Sequence, residues 1–281
     1  MATGAAGLLR RTGPAVVAVL VAVCGCNAQP TRSASARSSP VAPPAAGAGR
    51  TTATPSPTAA PAPGLDGCAP RSWRTVHLRS SDGVRLVAAE TGSGRRGVVL
   101  AHESDGSLCN WVPYATQLAR QGVRVLLLDL RGHGSSGSAA RGGTLATDLD
   151  VSAAATHLRA SGTSRIAFVG ASAGGTAALV AADRSPGSDA VASVSGPAAF
   201  GPMDAARAAP RLKVPVLFMV GALDRGFVPD ARQLAGLARA RHQLVVVPED
   251  GWHGTAMIDD PEHGPMVAAV LTRFLLAALS K

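Results

Sequence analysis

Ile166-Ala167-Phe168-Val169-Gly170-Ala171-Ser172-Ala173-Gly174 is followed almost at once by Thr176-Ala177-Ala178-Leu179-Val180-Ala181-Ala182. The first four residues read as a buried strand and the last seven as a helix, with a glycine-flanked serine between them. G-x-S-x-G is common by chance in isolation. Set between a strand and a helix it describes a nucleophile elbow, a turn so tight that only small neighbours fit. Ala171, Ala173 and the two glycines meet that demand. The elbow holds the Ser172 hydroxyl above a sheet edge, beside the first N–H groups of the helix.

Short apolar runs alternating with helical patterns extend outward from this stretch and read as βαβ units on a mostly parallel central sheet, with helices on both faces. Arg74 to Arg79 and Val84 to Glu90, joined by Ser81-Asp82-Gly83, read as an opening antiparallel hairpin. Strands follow at Val98 to Ala101, Val123 to Asp129, Arg165 to Val169, Ala190 to Val194, Val214 to Val220 and Gln243 to Val247. Helices are expected over Trp111 to Gln121, Thr144 to Ala160, Asp230 to Arg239 and Pro261 to Leu279. Ser195 to Lys213 leaves room for one short helix, Met203 to Ala209, and so for no large cap.

A serine hydroxyl needs a base before it is an effective nucleophile. In a parallel sheet the partners must come from loops leaving the carboxyl ends of strands. Gly221-Ala222-Leu223-Asp224 follows one such strand, and Pro248-Glu249-Asp250-Gly251-Trp252-His253-Gly254 follows the last. Asp224 and His253 are therefore the candidate acid and base. Asp230 competes with Asp224 but sits at a helix start, where capping suffices. Asp129 reads as a structural hydrogen-bond partner. His102 and His133 read as turn-shaping residues, and His77, His157, His242 and His263 as surface or packing residues.

The elbow, the run Val214 to Asp224, Gly251-Trp252-His253-Gly254 and Asp129-Leu130-Arg131-Gly132-His133-Gly134-Ser135-Ser136 together resemble the α/β-hydrolase family from about Arg71 to Lys281. The chain order Ser172, Asp224, His253 is the order of that family. The resemblance implies a serine hydrolase cleaving carboxylic esters, with His253 as general base and then acid, and Asp224 fixing its tautomer. The implied oxyanion donors are the N–H groups of Ala173 and Ser104, with Glu103 N–H the fallback. Glu103 replaces the commoner glycine and is similar to the Gln-Glu loop of dienelactone-hydrolase-type members. A carboxylate beside an oxyanion would be unhelpful, so Glu103 is expected to point away or to pair with an arginine. Trp111, Phe200, Phe227 and Trp252 are candidates for an acyl pocket or, equally, for the core. The same triad would serve an envelope acyltransferase, and a tethered, non-catalytic binding module is the third alternative.

The remaining chain sets the context. Met1 to Val23 has a basic start (Arg10, Arg11) and an apolar stretch from Ala15 too short to span a membrane. Val23-Cys24-Gly25-Cys26 resembles a bacterial lipobox with Cys26 as the lipidated residue, so residues 1–26 read as a lipoprotein-type signal peptide. The alternative is an ordinary signal peptide and a secreted product. Of residues 27–66, 32 of 40 are Ala, Pro, Ser, Thr or Gly, which predicts a disordered linker. Residues 67–281 are then one hydrolase-like domain, lipid-anchored outside the cell and touching the membrane only through its anchor.

Five of the 27 basic residues and one of the 18 acids lie in residues 1–70, leaving 22 against 17, or +5, for the domain. Those charges are scattered, so no nucleic-acid partner is expected. The expected substrate is a small-molecule or polymer-borne ester. No metal-ligand cluster and no phosphate-binding loop is legible, so no cofactor or metal is expected. Cys68 and Cys109 are the thiols left outside the signal region and are expected to pair in an exported protein, contributing about 4 kcal/mol.

Overall fold

The computed structural model describes residues 65, 67–139, 145–184 and 188–280. The chain divides into units 1–58 and 59–281, and every described residue belongs to the second. The signal region with Cys26, and the linker apart from Leu65, lie outside the described residues.

Strands β1 (Arg74–Arg79) and β2 (Arg85–Thr91) form the opening hairpin. They are followed by β3 (Arg96–Ala101), a single 3-10 turn at Leu108–Trp111, α1 (Val112–Ala119), β4 (Arg124–Leu128), α2 (Asp148–Ala160), β5 (Arg165–Ala171), α3 (Ala173–Arg184) and β6 (Ala190–Val194). A two-strand ribbon, β7 (Ala199–Phe200) and β8 (Met203–Asp204), leads into α4 (Ala205–Ala208) and a 3-10 turn at Ala209–Arg211. The chain continues through β9 (Val216–Gly221), α5 (Val228–Leu237), β10 (His242–Val247), α6 (Ala256–Asp259) and α7 (Gly264–Leu279).

Eight strands make one sheet in the order β1-β2-β4-β3-β5-β6-β9-β10. Pairing is antiparallel from β1 to β4 through β2, and parallel from β4 onward. Side chains alternate across the sheet, so each central strand feeds two cores. Val99, Ala101, Leu126, Leu128, Ile166 and Phe168 pack with residues of α2, α3 and α5. Val98, Leu100, Val125, Leu127, Ala167 and Val169 pack with residues of α1 and α7. Burial on both faces explains why these strands read as continuous apolar runs rather than alternating ones.

Trp111, read as acyl pocket or core, belongs to the core, fully buried among the α1-side residues. Several expectations need correction. The expected helix at Met203–Ala209 is two strand residues followed by a four-residue helix, because Asp204 caps the turn by accepting from Arg207 N–H at 2.8 Å. The helix expected from Thr144 begins at Asp148; Thr144 itself lies outside the described residues. The helix expected from Asp230 begins two residues earlier, where Pro229 in its first turn loses no needed N–H.

Cys68 and Cys109 are disulfide-bonded with Cα atoms 5.6 Å apart, fastening the segment before β1 to the turn that precedes α1. Among the described residues, no helix is long and apolar enough to cross a membrane.

Candidate active site

The elbow between β5 and α3 is built as its sequence requires. Ser172 has φ 47°, a left-handed conformation costly for a residue with a side chain. A Cβ on Gly170 would lie 2.0 Å from Gly174 O, and one on Gly174 would lie 2.4 Å from Ala101 O. Only glycine allows the two arms of the turn, and the end of β3, to come so close. The strained serine is held by its N–H donating to Val194 O at 2.8 Å and its carbonyl accepting from Gly175 N–H at 2.8 Å.

Two further loops leave the same edge of the sheet. His253, after β10, meets Asp224, after β9, with Nδ1 2.8 Å from Oδ2. Asp224 is buried, whereas His253 is a third exposed. The ring of Phe227 packs on the imidazole with centroids 4.1 Å apart. Asp250 joins the two loops: its carbonyl accepts from Leu223 N–H and its Oδ1 from Trp252 N–H, both at 2.8 Å. Burial pushes the Asp250 carboxyl above its ordinary range, against the bond from Trp252 N–H. The His253 loop also reaches the elbow, since a Cβ on Gly254 would lie 3.5 Å from Ala171 Cβ. Among the described residues no hydrogen bond joins Ser172 Oγ to the His253 ring.

Asp230 is engaged elsewhere, accepting from Ala198 N–H at 3.1 Å. Asp129 accepts from Leu108 N–H and Ser135 N–H, fixing two turns at the ends of β3 and β4.

Ala173 opens α3, so its N–H has no acceptor within the helix. The facing loop is held by two histidines. His102 is buried; its Nε2 accepts from Leu130 N–H at 3.0 Å, so its Nδ1 carries the proton and donates to Glu103 O at 2.6 Å. Burial pushes its pKa down to about 4, consistent with a neutral ring. His133 Nε2 lies 2.7 Å from Ser104 O. Both carbonyls of the loop are thereby pinned, which orients the N–H groups of the same peptide chain.

Glu103 does not take the arginine partner that was one of its two expected arrangements. It is 8% exposed and pairs with no arginine among the described residues. Its Oε1 accepts from Asn110 Nδ2 at 3.1 Å and from Thr255 Oγ1. Neither Asp250 nor Thr255 was legible as part of the site, because each acts through a contact with a loop far away in sequence. No cluster of His, Cys, Asp or Glu able to hold a metal ion occurs among the described residues.

A sequence profile described as the alpha/beta hydrolase fold matches residues 101–207. Among solved structures, the Pyrococcus furiosus esterase Pf2001 aligns at a TM-score of 0.62 and 15% identity, covering 73% of this chain and 90% of that one. The dienelactone hydrolase of Anabaena variabilis aligns at 0.61 and 22% identity, covering 74% and 98%. A thermophilic esterase from Thermogutta terrifontis aligns at 0.61 and 18% identity, covering 73% and 99%. The chain has the α/β-hydrolase fold. No curated protein matches it.

The α/β-hydrolase fold accounts for where the site lies. Asp224 and His253 occupy the loops after β9 and β10, and Ser172 the turn after β5, all at the carboxyl edge. Between β6 and β9 this α/β-hydrolase fold carries only β7, β8, α4 and one 3-10 turn, and no cap domain. Trp252 and Leu223, 55% and 52% exposed, stand on the two loops that carry the histidine and the acid.

Proposed function

We propose that the chain is a serine hydrolase that cleaves carboxylic esters through an acyl-enzyme. The observation that carries this reading is a strained serine at the elbow with a paired histidine and aspartate on loops of the same sheet edge. His253 Nε2 takes the proton of Ser172 as Oγ bonds to the ester carbonyl carbon. The same nitrogen returns that proton to the alkoxide as the ester C–O bond breaks and the alcohol leaves. Water then attacks the acyl group, His253 takes its proton, and the carboxylic acid departs as Ser172 is reprotonated. Asp224, accepting from Nδ1–H, orients the ring and stabilises its cation. The developing oxyanion is met by Ala173 N–H and Ser104 N–H, each donor being worth about 3–4 kcal/mol. Contacts between nucleophile and base are commonly long without substrate and tighten in its complex, so the open Ser172–His253 contact is compatible with this role.

The absence of a cap between β6 and β9 and the exposed apolar side chains of Trp252 and Leu223 on the loops of the base and the acid favour small esters or esters carried on a polymer, with an apolar group against those side chains. The proposal includes export and lipid attachment at Cys26, which rest on the sequence of residues 1–26 alone.

A fluorophosphonate probe tests the reading. The expected result is covalent labelling of the wild type and none of Ser172→Ala, with an ester panel of graded acyl length ranking substrates. Absence of labelling in the wild type would favour a non-catalytic module. Transfer of the acyl group to an added alcohol in preference to water would make the protein an acyltransferase with the same triad.

A further inference from the structure

Glu103 has no part in the ester-cleaving steps, yet it lies at the centre of the contacts between the site's loops. Its Oε1 gathers two donors of different origin. Asn110 Nδ2 comes from the turn before α1, next to the Cys68–Cys109 bridge, and is itself fixed by Ser107 N–H donating to its Oδ1 at 2.9 Å. Thr255 Oγ1 comes from the loop of His253, two residues beyond the imidazole. No backbone hydrogen bond links residues 102–106 to residues 249–255 among the described residues. The carboxylate is therefore the polar link between them.

Its other oxygen, Oε2, is buried with no hydrogen-bond partner. That oxygen lies 3.4 Å from the position of a Cβ on Gly254, at the point where the His253 loop passes over Ala171. A carboxylate left half-satisfied in the interior costs stability, and a group of that kind calls for a reason. The reason offered by the geometry is placement. Glu103's side chain sets the distance of the His253 loop from the elbow, while its own backbone, pinned through His102, presents the Ser104 N–H.

We propose that Glu103 is a positioning residue that makes the base and the oxyanion donors one rigid unit, acting through Thr255 on one side and its own peptide on the other. The inference rests on the ester-cleaving reading for its consequence in rate, but its structural half can be measured separately.

The test uses the full chain with Glu103→Ala, Glu103→Gln, Thr255→Val and Thr255→Ser. Hydrogen exchange over residues 249–257 reads loop order, and the rate of fluorophosphonate labelling at saturating probe, set against half-saturation, reads placement of the base. Glu103→Ala should raise exchange in that loop and slow labelling about a hundredfold, the scale of an ångström-sized displacement of a catalytic group. Half-saturation should change little. Glu103→Gln keeps an acceptor oxygen for both donors and should stay near wild type in both readouts. Thr255→Val should follow Glu103→Ala, and Thr255→Ser should restore the wild-type values. If Glu103→Ala does not fold by circular dichroism, the Thr255 pair decides the matter by the same readouts.

Unchanged exchange, or labelling at the wild-type rate, in both Glu103→Ala and Thr255→Val would overturn the proposal. A Glu103→Gln variant as slow as Glu103→Ala, with its loop still protected, would overturn it in favour of a role for the charge. Raised exchange in Glu103→Ala with no labelling of any form, the wild type included, would uphold the tie and remove the ester-cleaving reading instead.

Discussion

Asp224 Oδ2 and His253 Nδ1 lie 2.8 Å apart although 29 residues separate them in the chain. With Nδ1–H committed to the carboxylate, Nε2 is left as the unprotonated nitrogen of the neutral ring. Phe227, packed on the ring, limits its rotation out of that arrangement.

Asp224→Asn should leave the fold intact and lower kcat by about four orders of magnitude, because an amide can stabilise the wrong tautomer and cannot stabilise the cation. Steady-state ester hydrolysis with circular dichroism as a control measures this. A loss smaller than tenfold would remove Asp224 from the proposed role.

Stability should fall as pH is lowered from about 6.5 towards 4, through His102. Its ring is neutral in the fold until about pH 4, whereas in the unfolded chain it gains a proton near its ordinary 6.5. The unfolded state therefore binds more protons within that window, and lowering the pH favours it; above and below the window the contribution is constant. At 1.36 kcal/mol per pKa unit the change amounts to about 3 kcal/mol. Urea titrations at pH 7 and pH 4 should show this difference in the wild type and much less of it in His102→Gln.

Asp250→Asn should stabilise the protein at pH 7. Burial raises the carboxyl of Asp250 above its ordinary value, so the protonated form is the one the fold prefers. That preference stabilises the fold below the unfolded value of 3.8 and is lost as pH rises through the folded value. A neutral amide keeps the acceptor for Trp252 N–H and removes a buried charge. The gain should exceed the roughly 0.5 kcal/mol scatter of surface substitutions and disappear near pH 3. Denaturation midpoints at the two pH values give the answer.

Reduction of Cys68–Cys109 should cost about 4 kcal/mol for a bridge that closes a loop of this size. The sequence separation is 41 residues. Chemical denaturation with and without dithiothreitol measures the cost, and the Cys68→Ala/Cys109→Ala double variant should match the reduced protein. Equal midpoints in all three states would show that the bridge does not constrain the unfolded chain.

Much of this was legible in one dimension. Burial of β3, β4 and β5 on both faces follows from Val-, Leu- and Ala-rich runs, and the elbow from glycines whose replacement would place a Cβ on a backbone oxygen. Asp224 and His253 could be nominated from the ends of strands. The ribbon of β7 and β8 and the four-residue α6 were not foreseen, because elements of two to four residues are too short to show a period. Trp111 could be read as pocket or core, and its complete burial decided for the core.

The sequence by itself determined the eight strands of the main sheet, the elbow and the order of the candidate residues, because those depend on steric limits and periodicities that act between near neighbours in the chain. Only the tertiary structure decided that Asp224 rather than Asp230 meets His253, that Asp250 braces the two loops, and that Glu103 turns to Thr255 instead of an arginine. Those choices belong to polar groups drawn together from distant loops by a common sheet edge, where a partner is selected by distance and burial, and neither quantity exists before the sheet has formed.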